Sequence, residues 1–176
     1  RLLLGLGAGG SRKTPYAAEQ LGLGLTVEPD RVRAARVVEA IEVMRRLWSG
    51  DGAGFAGEHY RLERPSGYLR ADPPPPIVVG GFGPRMAAIA GRHGDGFNTQ
   101  AFHPQLAELV RIARAEHEAA GRDPSTFIVT VFAGLQERWL RAESRERSSL
   151  EALGEPPFDP RRVVAAGTLL GTARRQ

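Results

Sequence analysis

Residues 75–85, with the sequence PPIVVGGFGPR, contain the signals of a strand, a turn and the start of a helix. Three β-branched residues stand in succession at Ile77, Val78 and Val79. They predict a strand that is buried on both faces, as in a parallel sheet. The glycines after this strand indicate a sharp turn, and Pro84 suits the first position of a helix. A buried strand that leads directly into a helix is the repeating unit of the α/β fold class.

The same pattern recurs on both sides of this stretch. A helix over 30–48 is predicted to have Asp30 as its N-cap, and Gly94 is predicted to end a helix over 84–93. The alternation of strands and helices predicts a parallel sheet, but periodicity does not decide between a barrel and an open doubly wound sheet. The remaining predicted elements are strands over 1–6, 97–99 and 127–132, a small hairpin or strand over 55–62, irregular chain over 11–25, a helix opened by Pro104 and closed by Gly121, a charged helix over 137–153, and a strand or helix that starts within 162–166.

The chain length bounds the fold. Its 176 residues suffice for one domain with a core, but they are short of the roughly 250 of a complete (β/α)8 barrel. The chain begins at Arg1, without a starting Met, and runs straight into leucines, so we expect strands upstream of this segment to be missing.

The absence of cysteine excludes disulfides, thiolate metal sites and a cysteine nucleophile. Without an apolar run of roughly 20 residues, no membrane span is expected, and we expect a cytoplasmic location.

The charge balance is mildly basic. The formal net charge is +4, and Lys13 is the only lysine among the 24 basic residues. A basic balance can indicate nucleic-acid binding. Because the arginines are scattered among acidic residues, solvated helix faces are the favoured interpretation, and we expect no nucleic-acid partner.

The first glycine cluster, residues 5–10 with the sequence GLGAGG, matches the spacing G-x-G-x-x-G. That spacing is typical of dinucleotide-binding Rossmann folds, in which a helix follows at once and an acidic residue lies about 20 residues further on. Here Pro15 disfavours a helix directly after the loop, and the next strong helix begins near Asp30. A dinucleotide site at this loop is therefore an alternative that lacks its expected surroundings.

The second glycine cluster, residues 80–85, does lead straight into a helix. Glycines let the backbone approach a ligand closely, and the free N–H groups of a helix start favour a phosphate, to which Arg85 could add charge. A turn rich in glycine only for tight packing is the alternative. Asn98, at the end of the next strand, is either a polar ligand contact or a capping residue.

No established catalytic constellation is present. None of the four histidines has the spacing of a zinc site, so no metal site is expected. Glu19 is the one carboxylate near the first glycine cluster that could act as a base, and a plain surface acid is its alternative interpretation.

Seven segments, taken in order, resemble the luciferase-like monooxygenase family, and most closely its branch of F420-dependent oxidoreductases. They are LGLGAG at 4–9, EQLG at 19–22, the helix 33–50 with EA and LWSG, FAGEHYRL at 55–62, PPIVVGGFGPR at 75–85, DGFN at 95–98 and GRDP at 121–124. The resemblance covers roughly residues 1–132. The chain departs from the family at Gly10, where the family usually has Trp.

The resemblance implies a TIM (β/α)8 barrel that is incomplete because its N-terminal strands are missing, with residues 1–176 as one partial domain. It implies an oxidoreductase acting on paired donors or on CH–OH or CH–CH groups, with F420 as cofactor and FMN as the alternative. Hydride would pass between this cofactor and a small organic substrate, and the family often forms homodimers. By the same resemblance, Gly80 and Gly81 would contact the cofactor phosphate, Gly7, Ala8 and Gly9 would lie along its ring, and Asn98 and Thr99 would add polar contacts.

Two expectations complete the sequence-based picture. The family's usual catalytic residues lie upstream of this segment, so we expect the 176 residues alone to be inactive. The competing function classes are an NAD(P)-dependent Rossmann dehydrogenase and a basic module that binds nucleic acid without catalysis. The first of these predicts a preference for NAD(P)H and a ribose-binding acid after a second strand, which the sequence lacks. The second predicts strongly salt-dependent binding to DNA or RNA.

Overall fold

The computed structural model describes residues 2–14, 16–50, 52–64 and 70–132, and the predicted elements over 137–153 and 162–166 lie outside them. Two short strands form a separate antiparallel pair, and the other four strands form one sheet. In chain order the elements are β1 (Leu4–Gly7), α1 (Ala17–Gly22), α2 (Asp30–Ser49), β2 (Phe55–Ala56), β3 (Arg61–Leu62), β4 (Ile77–Gly80), α3 (Pro84–His93), β5 (Gly96–Gln100), α4 (Leu106–Ala119), a 3-10 turn (Pro124–Thr126) and β6 (Ile128–Phe132).

The sheet has the order β1-β4-β5-β6, and every neighbouring pair is parallel. The strands therefore lie side by side in the order in which the chain makes them. A doubly wound sheet reverses its order at a switch point, whereas a barrel adds each new strand on the same side. Over the described residues the order is that of a barrel.

The core lies between this sheet and helices α2, α3 and α4. Ile77, Val79 and Phe97 point from the strands into it and are fully buried. The helices contribute one apolar face each, because their apolar residues recur at spacings of three and four. Val37 and Ile41 come from α2, and the other helical core residues are Ala87, Ala90, Leu106, Leu109, Val110 and Ala113. This packing fixes the strand ends that carry the glycine clusters.

Strand β4 confirms the prediction of burial on both faces, since Ile77, Val78 and Val79 are 0%, 5% and 0% exposed. Strand β1 does not behave in this way. Its leucines at 4 and 6 pack against the core, while Gly5 and Gly7 on the other face are exposed. The prediction of a buried strand there was therefore correct for one face only.

Several predicted boundaries need correction. Asp30 is the first residue of α2 and Pro29 holds the N-cap position, so the predicted cap is wrong by one residue. Gly94 does end α3, but with φ of −91° rather than the left-handed conformation expected of a glycine after a helix. The region 11–25, predicted to be irregular, contains α1, whose six residues are too few for a clear periodic signal. Helix α4 begins at Leu106, two residues after Pro104.

Of the two forms predicted over 55–62, the structure has the hairpin, as the antiparallel pair β2–β3. The carboxylate of Glu39 on α2 holds its turn by accepting hydrogen bonds from the backbone N–H groups of Glu58, His59 and Tyr60 at 2.8, 2.9 and 3.0 Å. Burial acts to raise the pKa of Glu39, but these three donors outweigh it and lower that pKa below its usual value. The ionised Glu39 thus attaches the hairpin turn to α2, and Arg46 of the same helix adds a contact with the ring of Phe55 on β2.

Candidate functional site

The two glycine clusters meet at the carboxyl ends of β1 and β4. These strands pair in register, with Gly7 beside Gly80. A cleft of about 740 Å³ opens above this pair, and it is lined by both glycine loops, the end of β5 and the start of α2. Functional sites of parallel α/β barrels lie at this end of the strands. The cleft is therefore the candidate site.

Most of the residues predicted as cofactor contacts line this cleft. Six of them do so, namely Gly7, Ala8, Gly9, Gly80, Gly81 and Asn98. Thr99 is not brought together with them. It is fully buried and alternates with Asn98 along β5, so its side chain lies on the same face as Phe97, which packs against the helices. Glu19 lies on α1, is exposed and does not line the cleft.

The start of helix α3 offers backbone donors to the cleft. Gly83 is the N-cap and Pro84 occupies the first helical position, so the first N–H of the helix belongs to Arg85. Among the described residues, the N–H groups of Phe82, Gly83 and Arg85 have no hydrogen-bond partner. Such unpaired N–H groups, together with the positive end of the helix dipole, favour an anion. The exposed Arg85 side chain adds a cation to the same wall.

Asn98 is held in place on the floor of the cleft. Its Nδ2 donates to Thr130 Oγ1 at 2.8 Å, and its backbone oxygen accepts from Gly81 N at 3.0 Å. Because Nδ2 is used in this way, Oδ1 is the free acceptor of the side chain. Thr130 was missed in the sequence because it is 32 residues away, and only the β5–β6 register, Asn98 beside Thr130, brings them together.

Arg33, the first residue of the family-like helix segment, makes a second contact with the cleft that the sequence did not indicate. Its Nη1 donates to the carbonyl oxygens of Ala8 and Gly9 at 2.8 and 2.6 Å, and its Nη2 contacts Asp30 Oδ1 at 2.8 Å. The guanidinium, followed by the hydroxyl of Ser11, lowers the pKa of Asp30 below its usual value. No local sequence signal links this arginine to a loop 24 residues earlier.

Aromatic side chains form one wall at the mouth of the cleft. Phe82 is stacked between Tyr16 and His103, with ring centroids 6.4 and 6.3 Å apart, and contacts Phe132 edge-on at 5.9 Å. Tyr16 and Phe82 remain 58% and 45% exposed, so the wall presents apolar surface to whatever occupies the cleft. The loop that carries Tyr16 also packs against Gly10, where a side chain would collide with the backbone at Tyr16 and Ala17. This packing explains why a large residue is absent at position 10.

A second cavity, of about 720 Å³, lies at the opposite end of the sheet, where β4, β5 and β6 begin. Asp95 stabilises its wall, because the carboxylate accepts hydrogen bonds from the backbone N–H of Ile77 at 2.9 Å and from Arg45 Nη2 at 3.0 Å. Arg122 lies 3.5 Å from the same carboxylate and donates to the backbone carbonyls of Gly91 in α3 and of Gly94, which follows this helix. In barrels this end contributes to stability rather than to chemistry, so we place the functional site at the cleft.

The described ranges contain no group of three or more His, Asp or Glu side chains arranged to hold a metal ion. None of the helices in these ranges combines the length and the apolar character of a membrane span.

A parallel sheet in chain order, with helices on one face and a ligand cleft beyond the carboxyl ends of its strands, defines a (β/α) barrel protein. The model of the luciferase-like monooxygenase family matches residues 1–173. The chain therefore belongs to the luciferase-like monooxygenase family.

Its relatives include two curated dehydrogenases. An F420-dependent hydroxymycolic acid dehydrogenase of Mycobacterium tuberculosis is 39% identical over 126 residues, which are 72% of this chain and 33% of that protein. An F420-dependent glucose-6-phosphate dehydrogenase of Mycobacterium avium is 40% identical over 99 residues, 55% of this chain and 28% of that protein. The chain thus spans about a third or less of the length of these relatives.

Solved structures agree with this assignment. An F420-dependent secondary alcohol dehydrogenase in complex with an F420–acetone adduct matches with a TM-score of 0.64 and 28% identity, over 75% of this chain and 39% of that chain. A coenzyme F420-dependent tetrahydromethanopterin reductase from Methanopyrus kandleri matches with a TM-score of 0.63 at 18% identity, over 87% and 50% of the two chains, and supports the fold alone. The predicted family and the predicted class, an incomplete TIM barrel, are confirmed.

Proposed function

We propose that this chain forms the cofactor-binding part of an F420-dependent oxidoreductase that transfers hydride between the deazaflavin and a small organic substrate. The proposal depends on the cleft. The Gly7–Gly80 register holds two glycine loops side by side there, and the unpaired N–H groups at the start of α3 lie in its wall. The names of the relatives, both F420-dependent dehydrogenases, support the same cofactor.

The phosphate of the cofactor fits the start of α3. Phe82, Gly83 and Arg85 offer N–H groups without partners in the described chain, and a Cβ at Gly83 would meet nothing within 4 Å. The backbone therefore leaves open space where an anion would approach the helix dipole. In this proposal Gly80 and Gly81 form the floor below the phosphate, and the Arg85 side chain closes the site from the solvent side.

The deazaflavin ring fits the floor formed by β1 and β4. Gly7 and Gly80 carry no side chains, and the positions of their missing Cβ atoms lie no closer than 3.9 Å to neighbouring atoms. A flat ring can therefore approach the backbone at Gly7, Ala8 and Gly9, as a close approach to glycine permits. Asn98 Oδ1 is free to accept from a ring N–H at the edge of this floor. We assign no cofactor contact to the side chain of Thr99.

Bound F420 would supply the hydride chemistry, and the residues of this chain would bind, orient and shield it. The aromatic wall of Tyr16 and Phe82 would exclude water from one side of the ring. No catalytic proton acceptor is assigned among the described residues, and the position of Glu19 outside the cleft gives no support to a role for it.

The alternatives find less support. FMN also carries a phosphate and a flat ring, so it remains the competing cofactor, and the relatives' names favour F420 over it. A Rossmann dehydrogenase is not supported by the strand order β1-β4-β5-β6. A small organic molecule as substrate, assembly as a homodimer and a cytoplasmic location belong to the same proposal as predictions from the family.

The proposal is tested by titrating the purified protein with F420 and measuring binding through the fluorescence of the cofactor. We expect saturable binding that FMN displaces only weakly and NADPH does not displace. The Asn98→Ala variant should bind F420 more weakly, while Arg111→Ala, on the exposed face of α4, should bind as the unaltered protein does. Absence of F420 binding, or preferential binding of NADPH, would contradict the proposal.

A further inference from the structure

Arg33 is more buried than its position near the exposed start of α2 would require. Its side chain is 11% exposed, and both of its terminal nitrogens are used. Nη1 donates to two successive carbonyl oxygens of the first glycine loop, those of Ala8 and Gly9. Nη2 is anchored on Asp30, whose carboxylate also accepts from the hydroxyl of Ser11 further along the loop. One side chain thus ties the loop to the helix.

These contacts set the direction of the loop's N–H groups. Gly9 has φ of 73°, a left-handed conformation that glycine adopts at little cost, and in this turn both carbonyl oxygens face the same nitrogen of Arg33. The two peptide bonds are trans, so the N–H of Gly9 and the N–H of Gly10 point away from the guanidinium. Neither N–H has a hydrogen-bond partner among the described residues. Both residues line the cleft.

We propose that Arg33 is a positioning residue for the cofactor: by holding the carbonyl oxygens of Ala8 and Gly9 on the helix side, it presents the paired N–H groups of Gly9 and Gly10 to an acceptor atom of bound F420. This inference rests on the proposed function of the cleft. Successive N–H groups that point to one side form a concave donor site for oxygen or an anion. The positive guanidinium also polarises the two peptide groups, which strengthens their N–H groups as donors.

An arginine suits this task better than a lysine. Its planar fork reaches two loop carbonyls and the Asp30 carboxylate at once, whereas an ammonium group is a single point of donation. The neighbouring Arg31 gives a matched control, since it lies in the same turn of α2, is exposed and does not line the cleft. Its replacement removes the same charge from the helix start without touching the loop.

The experiment compares the unaltered protein with the Arg33→Ala, Arg33→Lys and Arg31→Ala variants. F420 affinity is measured by fluorescence titration, the absorption band of the bound cofactor is recorded at saturation, and thermal unfolding monitors the fold. We expect Arg33→Ala to weaken F420 binding about tenfold, as loss of a charge-assisted hydrogen-bond set does, and to shift the absorption band towards that of free F420. Arg33→Lys should give an intermediate value, and Arg31→Ala should have no effect.

Guanidinium ion separates positioning from a merely structural role. Added at a concentration that leaves the unfolding temperature unchanged, it should restore part of the affinity and the absorption band of Arg33→Ala, and it should leave the unaltered protein as it was. If Arg33→Ala does not fold, the comparison of Arg33→Lys with Arg31→Ala decides by the same two readouts.

The outcomes distinguish this inference from the function on which it rests. If the unaltered protein fails to bind F420, both are overturned. If it binds F420 while the Arg33 variants keep its affinity and its spectrum, only the positioning role is overturned. A lower affinity with an unchanged absorption band and no response to guanidinium would show that Arg33 merely supports the fold, and this result also overturns the inference.

Discussion

Asn98 Nδ2 lies 2.8 Å from Thr130 Oγ1, and this hydrogen bond joins β5 to β6 at the floor of the cleft. The bond holds the Asn98 side chain against β6 and leaves Oδ1 without a partner among the described residues. The arrangement makes Thr130 a second residue on which a ligand contact of Asn98 depends.

Replacement of Thr130 by valine is therefore expected to weaken F420 binding. The change keeps the shape of the side chain but removes the hydroxyl, so the Asn98 amide loses the hydrogen bond that holds it against β6. We expect affinity to fall about threefold to tenfold, in line with the roughly 0.5–1.5 kcal/mol of one hydrogen bond. Fluorescence titration of F420 measures this effect, and unchanged affinity would argue against a role for Oδ1.

Thr99→Val serves as the matched control for that experiment. Thr99 is fully buried and its Oγ1 has no hydrogen-bond partner among the described residues. Removing an unsatisfied hydroxyl from such a position should not lower the free energy of unfolding, which urea unfolding measures. We expect unaltered F420 affinity. Weakened binding in this variant would restore Thr99 to the cofactor site.

Arg85 is expected to contribute charge rather than shape. It is exposed at the start of α3 beside the unpaired N–H groups, so Arg85→Ala should weaken F420 binding by about threefold to tenfold at low salt, with the difference shrinking as ionic strength rises. Titrations at two salt concentrations measure this dependence. Arg111→Ala, whose side chain pairs with Glu108 on α4, is the control and should show neither effect. A loss independent of salt would mean that Arg85 acts through packing.

Local sequence signals suffice for part of this fold. Three consecutive β-branched residues and a following proline were enough to place β4 and the start of α3 correctly. Glycine spacing and the family resemblance pointed to both loops of the cleft. The hydrogen-bond partners of these loops could not be found in this way, because Arg33 and Thr130 reach them only through helix packing and strand register. The side-chain direction of Thr99 follows from strand alternation and could have been predicted once β5 was placed.

Glu39 is expected to make the stability of the hairpin depend on pH. Its pKa in the folded protein lies below its usual value of 4.5, so its contribution is complete above that value and is lost as the pH falls through the lower folded-state pKa. Glu39→Gln should therefore unfold at a lower temperature at neutral pH, and the difference from the unaltered protein should narrow in acid. Thermal unfolding followed from neutral pH to about pH 3 measures this.

Glu42→Gln provides the control for the pH experiment. Glu42 lies on the same helix, 2.9 Å from Arg46, and is exposed. An exposed pair of this kind contributes little to stability. An equal loss of stability in both variants would show that the charge of α2, rather than the contacts with the hairpin turn, is responsible.

Gly91 is expected to resist any larger residue. A Cβ at this position would lie against the carbonyl group of Ala113 and 2.7 Å from Glu116 Cβ, where α3 and α4 cross. Gly91→Ala should lower the free energy of unfolding by about 1–3 kcal/mol, the usual cost of overpacking. Urea unfolding measures the change. Gly22→Ala, whose added Cβ would meet nothing within 4 Å, should not be destabilised in this way.

The register that sets Gly7 beside Gly80 has a consequence for how the cleft can vary. Strands in a sheet are held about 4.8 Å apart by their hydrogen bonds, so the width of a floor made only of backbone is set by the sheet and not by side-chain rotamers. The spacing between the two strands of this floor is therefore fixed by the backbone. Sequence change in the surrounding loops can then alter what the cleft accepts without altering the spacing on which a flat ring would rest.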